Sequence, residues 1–190
     1  MRQANRKDRP NATINFILPR ATFLVDKMMW KDKLSPHPRS HMRIYILRGA
    51  QMDPKIKKAM QQRVKQEPFA QKLGLTLLKV DEGYAVVEMV CTEEMENIFQ
   101  MTHGGAIFTL IDEAFEVSCN SHGTVAVALN VNITYHRAPS PNSTLRAEAK
   151  EVSRTRKTGN YYITVKDDGD NLIASCQALA YRKGEKLPFL

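Results

Sequence analysis

A chain of 190 residues that is 43% hydrophobic and 25% charged can bury one sizeable core, and its composition is that of a soluble globular protein rather than an unfolded polyelectrolyte. No apolar run approaches the roughly 20 residues that span a bilayer. The net charge of +8 sits in the first 51 residues, with 11 Lys+Arg against 3 Asp+Glu, whereas residues 52–190 hold 17 of each sign, so the domain has no basic bias that would suggest a nucleic-acid face.

Residues 1–51 carry Pro10, Pro19, Pro36 and Pro38 and little periodic pattern. They read as a basic, disordered leader or an over-extended start, with a weak nucleic-acid or membrane-surface arm and a packed extension as alternatives. The domain is expected over 52–190. Asp53-Pro54 supplies an N-cap and first-turn pair, and Ile56, Met60 and Val64 fall four apart, so a short helix should run to about Gln66. Leu75–Val80 and Tyr84–Cys91 flank Asp81-Glu82-Gly83 and read as a hairpin. Cys91, Cys119 and Cys176 have no metal-ligand spacing and fall in apolar stretches. They are read as reduced core residues of a cytoplasmic protein, with no metal site.

The stretch Thr102–Cys119 has the helical period. Ile107, Phe108, Leu110, Ile111, Ala114, Phe115 and Val117 recur three and four apart, as one helix face requires. Thr102 is the expected cap and Gly123 the expected left-handed terminator at C′. Thr109, Glu113, Glu116 and Asn120 mark a polar face. Asp112 stands apart, beside Phe108, Ile111 and Phe115, where a carboxylate must be desolvated, paired or used.

After Gly123 the chain alternates with period two. Val125, Val127, Leu129, Val131, Ile133 and Tyr135 are apolar, with small or polar residues between them, which predicts a long strand. Leu145, Ala147, Ala149 and Val152 start another, Tyr161, Ile163 and Val165 a third, and Leu172–Tyr181 a fourth, with a tight turn at Asp168-Gly169. The late connections are too short for parallel crossovers. The fold class is therefore α+β, an antiparallel sheet wrapped around one long central helix.

Asn97-Ile-Phe-Gln-Met-Thr-His103-Gly104-Gly105, followed by Leu110-Ile-Asp112-Glu-Ala114, resembles the motif of hotdog-fold acyl-CoA thioesterases of the phenylacetic acid degradation (PaaI-like) type. The resemblance extends over residues 53–184. It implies an acyl-CoA substrate, no separate cofactor, and a homodimer, often a dimer of dimers, with no nucleic-acid or membrane partner. It further implies an active site across the dimer interface, with Asp112 from one chain and Asn97, His103 and Gly105 from the other.

Thioester hydrolysis needs a nucleophile and a home for the oxyanion. Unpaired N–H groups at the helix entrance favour negative charge, which makes the Gly105 N–H the expected polarising donor, with Gly104 allowing close approach. Asp112, about two and a half turns beyond the helix entrance, would act as general base or as nucleophile. Asn97 would orient water or the carbonyl, or simply shape its loop. His103 would fix the loop or touch the substrate. Related enzymes carry a Ser or Thr near the end of the third strand. Position 128 here is Ala, so Asn130 is the candidate substitute. Arg137 and the turn Arg154-Thr-Arg156-Lys157-Thr158-Gly159 are candidates for the coenzyme A phosphates, against a plain solvated role. A hydratase or dehydratase of the same fold, and a non-catalytic acyl-CoA sensor, are the competing readings. Aryl-acetyl, hydroxybenzoyl and medium-chain acyl groups all remain open as the acyl moiety.

Overall fold

The described part of the computed structural model, residues 52–190, places one long helix against a six-stranded antiparallel sheet; the expectation for the basic leader concerns residues outside it. Helix α1 (Pro54–Lys65) starts where the Asp53 carboxylate accepts from the Lys55 N–H at 2.8 Å, with Pro54 in the first turn. It buries Met60 and Val64. A short helix α2 (Pro68–Lys72) follows. Strands β1 (Thr76–Asp81) and β2 (Tyr84–Val90) form the expected hairpin, closed by Glu82-Gly83 with Gly83 at φ +67°. Ala85, Val87, Met89 and Cys91 are all buried.

Helix α3 (Gly104–Asn120) is capped by His103, not Thr102. Thr102 is instead held in a bridge to Glu96. The helix stops at Ser121, and Gly123, two residues beyond that cap rather than one, takes φ +76° and returns its N–H to the Asn120 carbonyl at 3.0 Å. Ile107, Leu110, Ile111, Ala114, Phe115 and Val117 are buried against the sheet. Three residues depart from the expected faces: Phe108 is 38% exposed, and Glu113 and Asn120, assigned to the polar face, are only 5% and 8% exposed.

The remaining strands are β3 (Thr124–Tyr135), β4 (Thr144–Arg154), β5 (Thr158–Lys166) and β6 (Leu172–Lys186). The sheet order β1-β2-β4-β5-β6-β3 leaves β3 as a twelve-residue edge. Its alternation does not line one face. Val127 registers with Tyr181 and Ala128 with Ala180, but Asn130 registers with Leu179. The bulge at Leu129 reverses the side-chain phase. Ala128, Val131, Ile133 and Tyr135 therefore share the face of Ala180, Ala178, Cys176 and Ala174, while Val127 and Asn130 take the other. A second bulge in β4, between Glu151 and Ser153, leaves Val152 68% exposed rather than in the core. The β5–β6 connection is a five-residue loop organised by the Asp167 carboxylate, which accepts from the Gly169 and Asn171 N–H groups, in place of a two-residue turn. All three cysteines are free and buried. Among the described residues no helix is long and apolar enough to cross a membrane.

The end of α3 is pinned by a polar cluster. His122 Nδ1 stands 3.0 Å from Glu82 and Nε2 2.6 Å from Glu151, Arg154 pairs with both carboxylates, and the Tyr161 hydroxyl donates to Glu151 at 2.7 Å. Burial alone would push the Glu151 carboxyl up, but the hydrogen bonds from Tyr161 and His122 and the nearby cations hold it below the usual glutamate value of 4.5. A depressed folded value means stability that is present above pH 4.5 and lost as pH falls through it. His122→Ala should therefore cost about 2–4 kcal/mol at pH 7, and should flatten the acid limb of stability measured by urea unfolding between pH 7 and pH 3.

Candidate active site

The Gly-Gly entrance to α3 has a local physical reason. The Gly105 N–H donates to His103 Nδ1 at 2.8 Å. A Cβ on Gly105 would stand 2.9 Å from that nitrogen, so only glycine lets the imidazole reach its own helix end. An accepting Nδ1 places the ring proton on Nε2. Gly104 accommodates a different neighbour: its Cβ would lie 3.4 Å from the Tyr135 ring, and the Tyr135 hydroxyl donates to the Gly104 carbonyl at 3.1 Å. The end of β3 is thereby tied to the start of α3. A groove of about 300 Å³ opens there, lined by Thr102, Gly104, Ile107, Tyr135 and Arg137. Arg137 donates to the Asn171 side chain at 3.2 Å from the same end of the sheet.

Asn97 organises the loop that delivers His103. Its side-chain oxygen accepts from the Phe99 and Met101 N–H groups, its own N–H donates to the Met101 carbonyl at 2.8 Å, and the His103 N–H donates to Met95 at 2.7 Å. The loop-shaping reading of Asn97 thus accounts for its oxygen within the chain, and its amide nitrogen has no hydrogen-bond partner among the described residues.

Asp112 is half-buried in the middle of α3, and desolvation pushes its carboxyl above the usual 3.8. At 1.5 Å per residue it stands about 10 Å along the axis from Gly105. One chain therefore separates the acidic group from the helix entrance.

The other candidates divide. Asn130, in register with Leu179, lies on the sheet face opposite Asp112 and lines an outer groove with Asn160 and Tyr162, because the Leu129 bulge turns it outward. It does not replace the missing hydroxyl, and Ala128 occupies the inward position. Arg154 is consumed by Glu82 and Glu151. Gly159 is demanded by packing, since a Cβ there would meet the Tyr161 ring at 2.9 Å. Thr158 bonds Thr155 across the turn at 2.9 Å, and Lys157 sits 5.5 Å above the Tyr181 ring. Arg156 is exposed, with no ion pair among the described residues. This turn and Arg137 lie at opposite ends of β3, whose start registers with Tyr181 and Arg182 and whose end registers with Ala174. Sequence reasoning missed Tyr135 as the clamp on Gly104. Its place as the last apolar residue before the Pro139 break was the only available sign.

Three comparisons bear on this arrangement. The family model of the thioesterase superfamily matches residues 99–174, from the Asn97 loop into β6. A candidate esterase of Archaeoglobus fulgidus is 40% identical over 139 residues, covering 73% of this chain and 88% of that protein. The acyl-coenzyme A thioesterase PaaI of Escherichia coli is 36% identical over 115 residues, covering 60% and 82%. The solved structure of that E. coli protein superposes with a TM-score of 0.68 at 32% identity, over 71% of this chain and 98% of the other.

Proposed function

This chain belongs to the thioesterase superfamily, as a hotdog-fold thioester hydrolase of the PaaI-like type, and we propose that Asp112 of one subunit acts on an acyl-CoA held at the Gly104-Gly105 helix entrance of a second. The observation that carries this is the separation of about 10 Å between two halves of one catalytic apparatus on a single helix.

An isologous, antiparallel pairing of two β3 edges closes that gap. With the two-fold axis near the middle of β3, the partner's strand end falls beside this chain's strand start. Tyr135 carries Gly104 with it through its hydrogen bond. The start of β3 is fastened to the later half of α3, where the Asn120 side chain accepts from the Ala126 N–H and donates to the Ala126 carbonyl. The same pairing would bring Arg137 from one subunit toward Arg156 and Lys157 of the other, a cationic rim suited to the coenzyme A phosphates.

In this reading the thioester oxygen replaces His103 Nδ1 as the acceptor of the Gly105 N–H, at the positive end of the helix dipole. Asp112 takes a proton from water as the resulting hydroxide attacks the carbonyl carbon, and its raised carboxyl makes it a stronger base for that transfer. Collapse of the oxyanion breaks the C–S bond, the departing thiolate takes the proton held by Asp112, and the acid and the CoA thiol are released. No cofactor beyond the CoA of the substrate takes part, and the cytoplasm is the proposed compartment.

A panel of aryl-acetyl, hydroxybenzoyl and medium-chain acyl-CoA esters, followed with a thiol reagent, tests the reading. Free thiol should appear in step with free acid for at least one ester. Consumption of an enoyl-CoA without thiol would instead assign a hydratase, and inertness toward the whole panel would favour a sensor.

A further inference from the structure

One carboxyl in the domain has no explanation in the chemistry above. Glu113 is 5% exposed, and its Oε1 has no hydrogen-bond partner among the described residues. Leaving such an atom unpaired is costly in a packed interior. It lines a cavity of about 580 Å³ bounded by α1, the later half of α3, the start of β3 and the C-terminal residues. Glu67, at the head of α2, and Glu116, one helical turn beyond Glu113, line the same cavity, and one oxygen from each of the three carboxylates lies within 4.8 Å of the others.

We propose that Glu67, Glu113 and Glu116 form a binding site for one hard divalent cation of calcium size. Three oxygens placed symmetrically at about 2.4 Å from one calcium ion stand about 4.2 Å apart or less, so side-chain rotations of a few tenths of an ångström let the three donors share one ion with the helices in place. The donor set is all oxygen, as hard cations require, and the cavity has room for waters to complete the shell. Arg63, four residues before Glu67, also lines the cavity, but no ion pair joins it to any of the three. The ion would tie the α1–α2 corner to α3 one residue beyond Asp112.

The test uses the full chain after chelator treatment, titrated with CaCl2 and followed by calorimetry and thermal unfolding. Saturable binding of one ion per chain is expected, with a Tm that rises with ion concentration. Glu67→Gln and Glu116→Gln, both outside the packed core, should each weaken binding at least tenfold, and Glu113→Gln should abolish it. Absence of binding up to about 10 mM, beyond the weakest range of protein calcium sites, would overturn the proposal. Equal affinity in the Glu67→Gln and Glu116→Gln variants would overturn it as well. None of these readouts depends on thioester hydrolysis, so the proposal and the enzymatic reading fail separately.

Discussion

Asp112→Asn is expected to lower kcat on the best acyl-CoA substrate by about 10³-fold or more, while thermal stability at pH 7 stays level or rises. Loss of a general base typically forfeits about 10²- to 10⁴-fold. The stability half follows from the sign of the carboxyl shift. Desolvation raises the folded value above 3.8, so the folded chain binds that proton more tightly than the unfolded chain does. At neutral pH the charged form is therefore a burden on folding, relieved as pH falls through the raised value, and a neutral isostere removes it. The same shift predicts that the acid limb of kcat/KM in the parent enzyme lies above the ordinary aspartate range. An Asn variant with parental turnover would remove Asp112 from the chemistry, whereas one that loses both turnover and folding would show a structural carboxylate.

Asp112 was legible because a carboxylate among Phe108, Ile111 and Phe115 violates the helical pattern that surrounds it, and a violation is visible without coordinates. The hairpin, the helix and the antiparallel series were legible for the complementary reason: each is set by local periodicity and by turn residues such as Gly83. What escaped depends on register or on tertiary contact. The Leu129 bulge leaves the period-two pattern of residues 125–135 intact as a string and yet sends Asn130 to the wrong face. Thr102 is a better intrinsic cap than His103, but it is spent on the Glu96 bridge, and the missing Cβ of Gly105 lets the imidazole take over. Glu113 looks like a surface residue until α1, α2 and the C-terminal residues close over it. Arg154 looks like a phosphate ligand until Glu82, from the β1–β2 turn, and Glu151, three residues back on its own strand, engage it. In each case the outcome is decided by pairing register or by a contact that the local pattern does not encode.

Leu129→Glu is expected to convert the protein to a monomer of 21.6 kDa by size exclusion with light scattering, and to abolish hydrolysis while the far-UV spectrum is preserved. β3 is a long edge with unpaired backbone groups, and Leu129 is 57% exposed on it. Such an edge invites pairing with another chain. Leu129 falls close to the middle of the strand, so in an isologous pair it meets its own copy, and two carboxylates opposed there repel. Nothing in the chain's own core depends on the residue, because it is the bulged position and pairs with no residue of β6. Loss of activity could still be blamed on a subtle distortion, and subunit complementation removes that objection. Asp112→Asn chains keep an intact helix entrance. Gly105→Leu chains keep Asp112 but carry a side chain at the proposed position of the thioester oxygen. Each alone should be inactive. Unfolded together and refolded in equal amounts, half of the dimers are mixed, and one of the two sites in each mixed dimer is assembled from intact halves. About a quarter of the parental activity should then return. If each active site lies within one chain, the mixture stays inactive, and full activity in a Leu129→Glu monomer would likewise place the whole site within a single subunit.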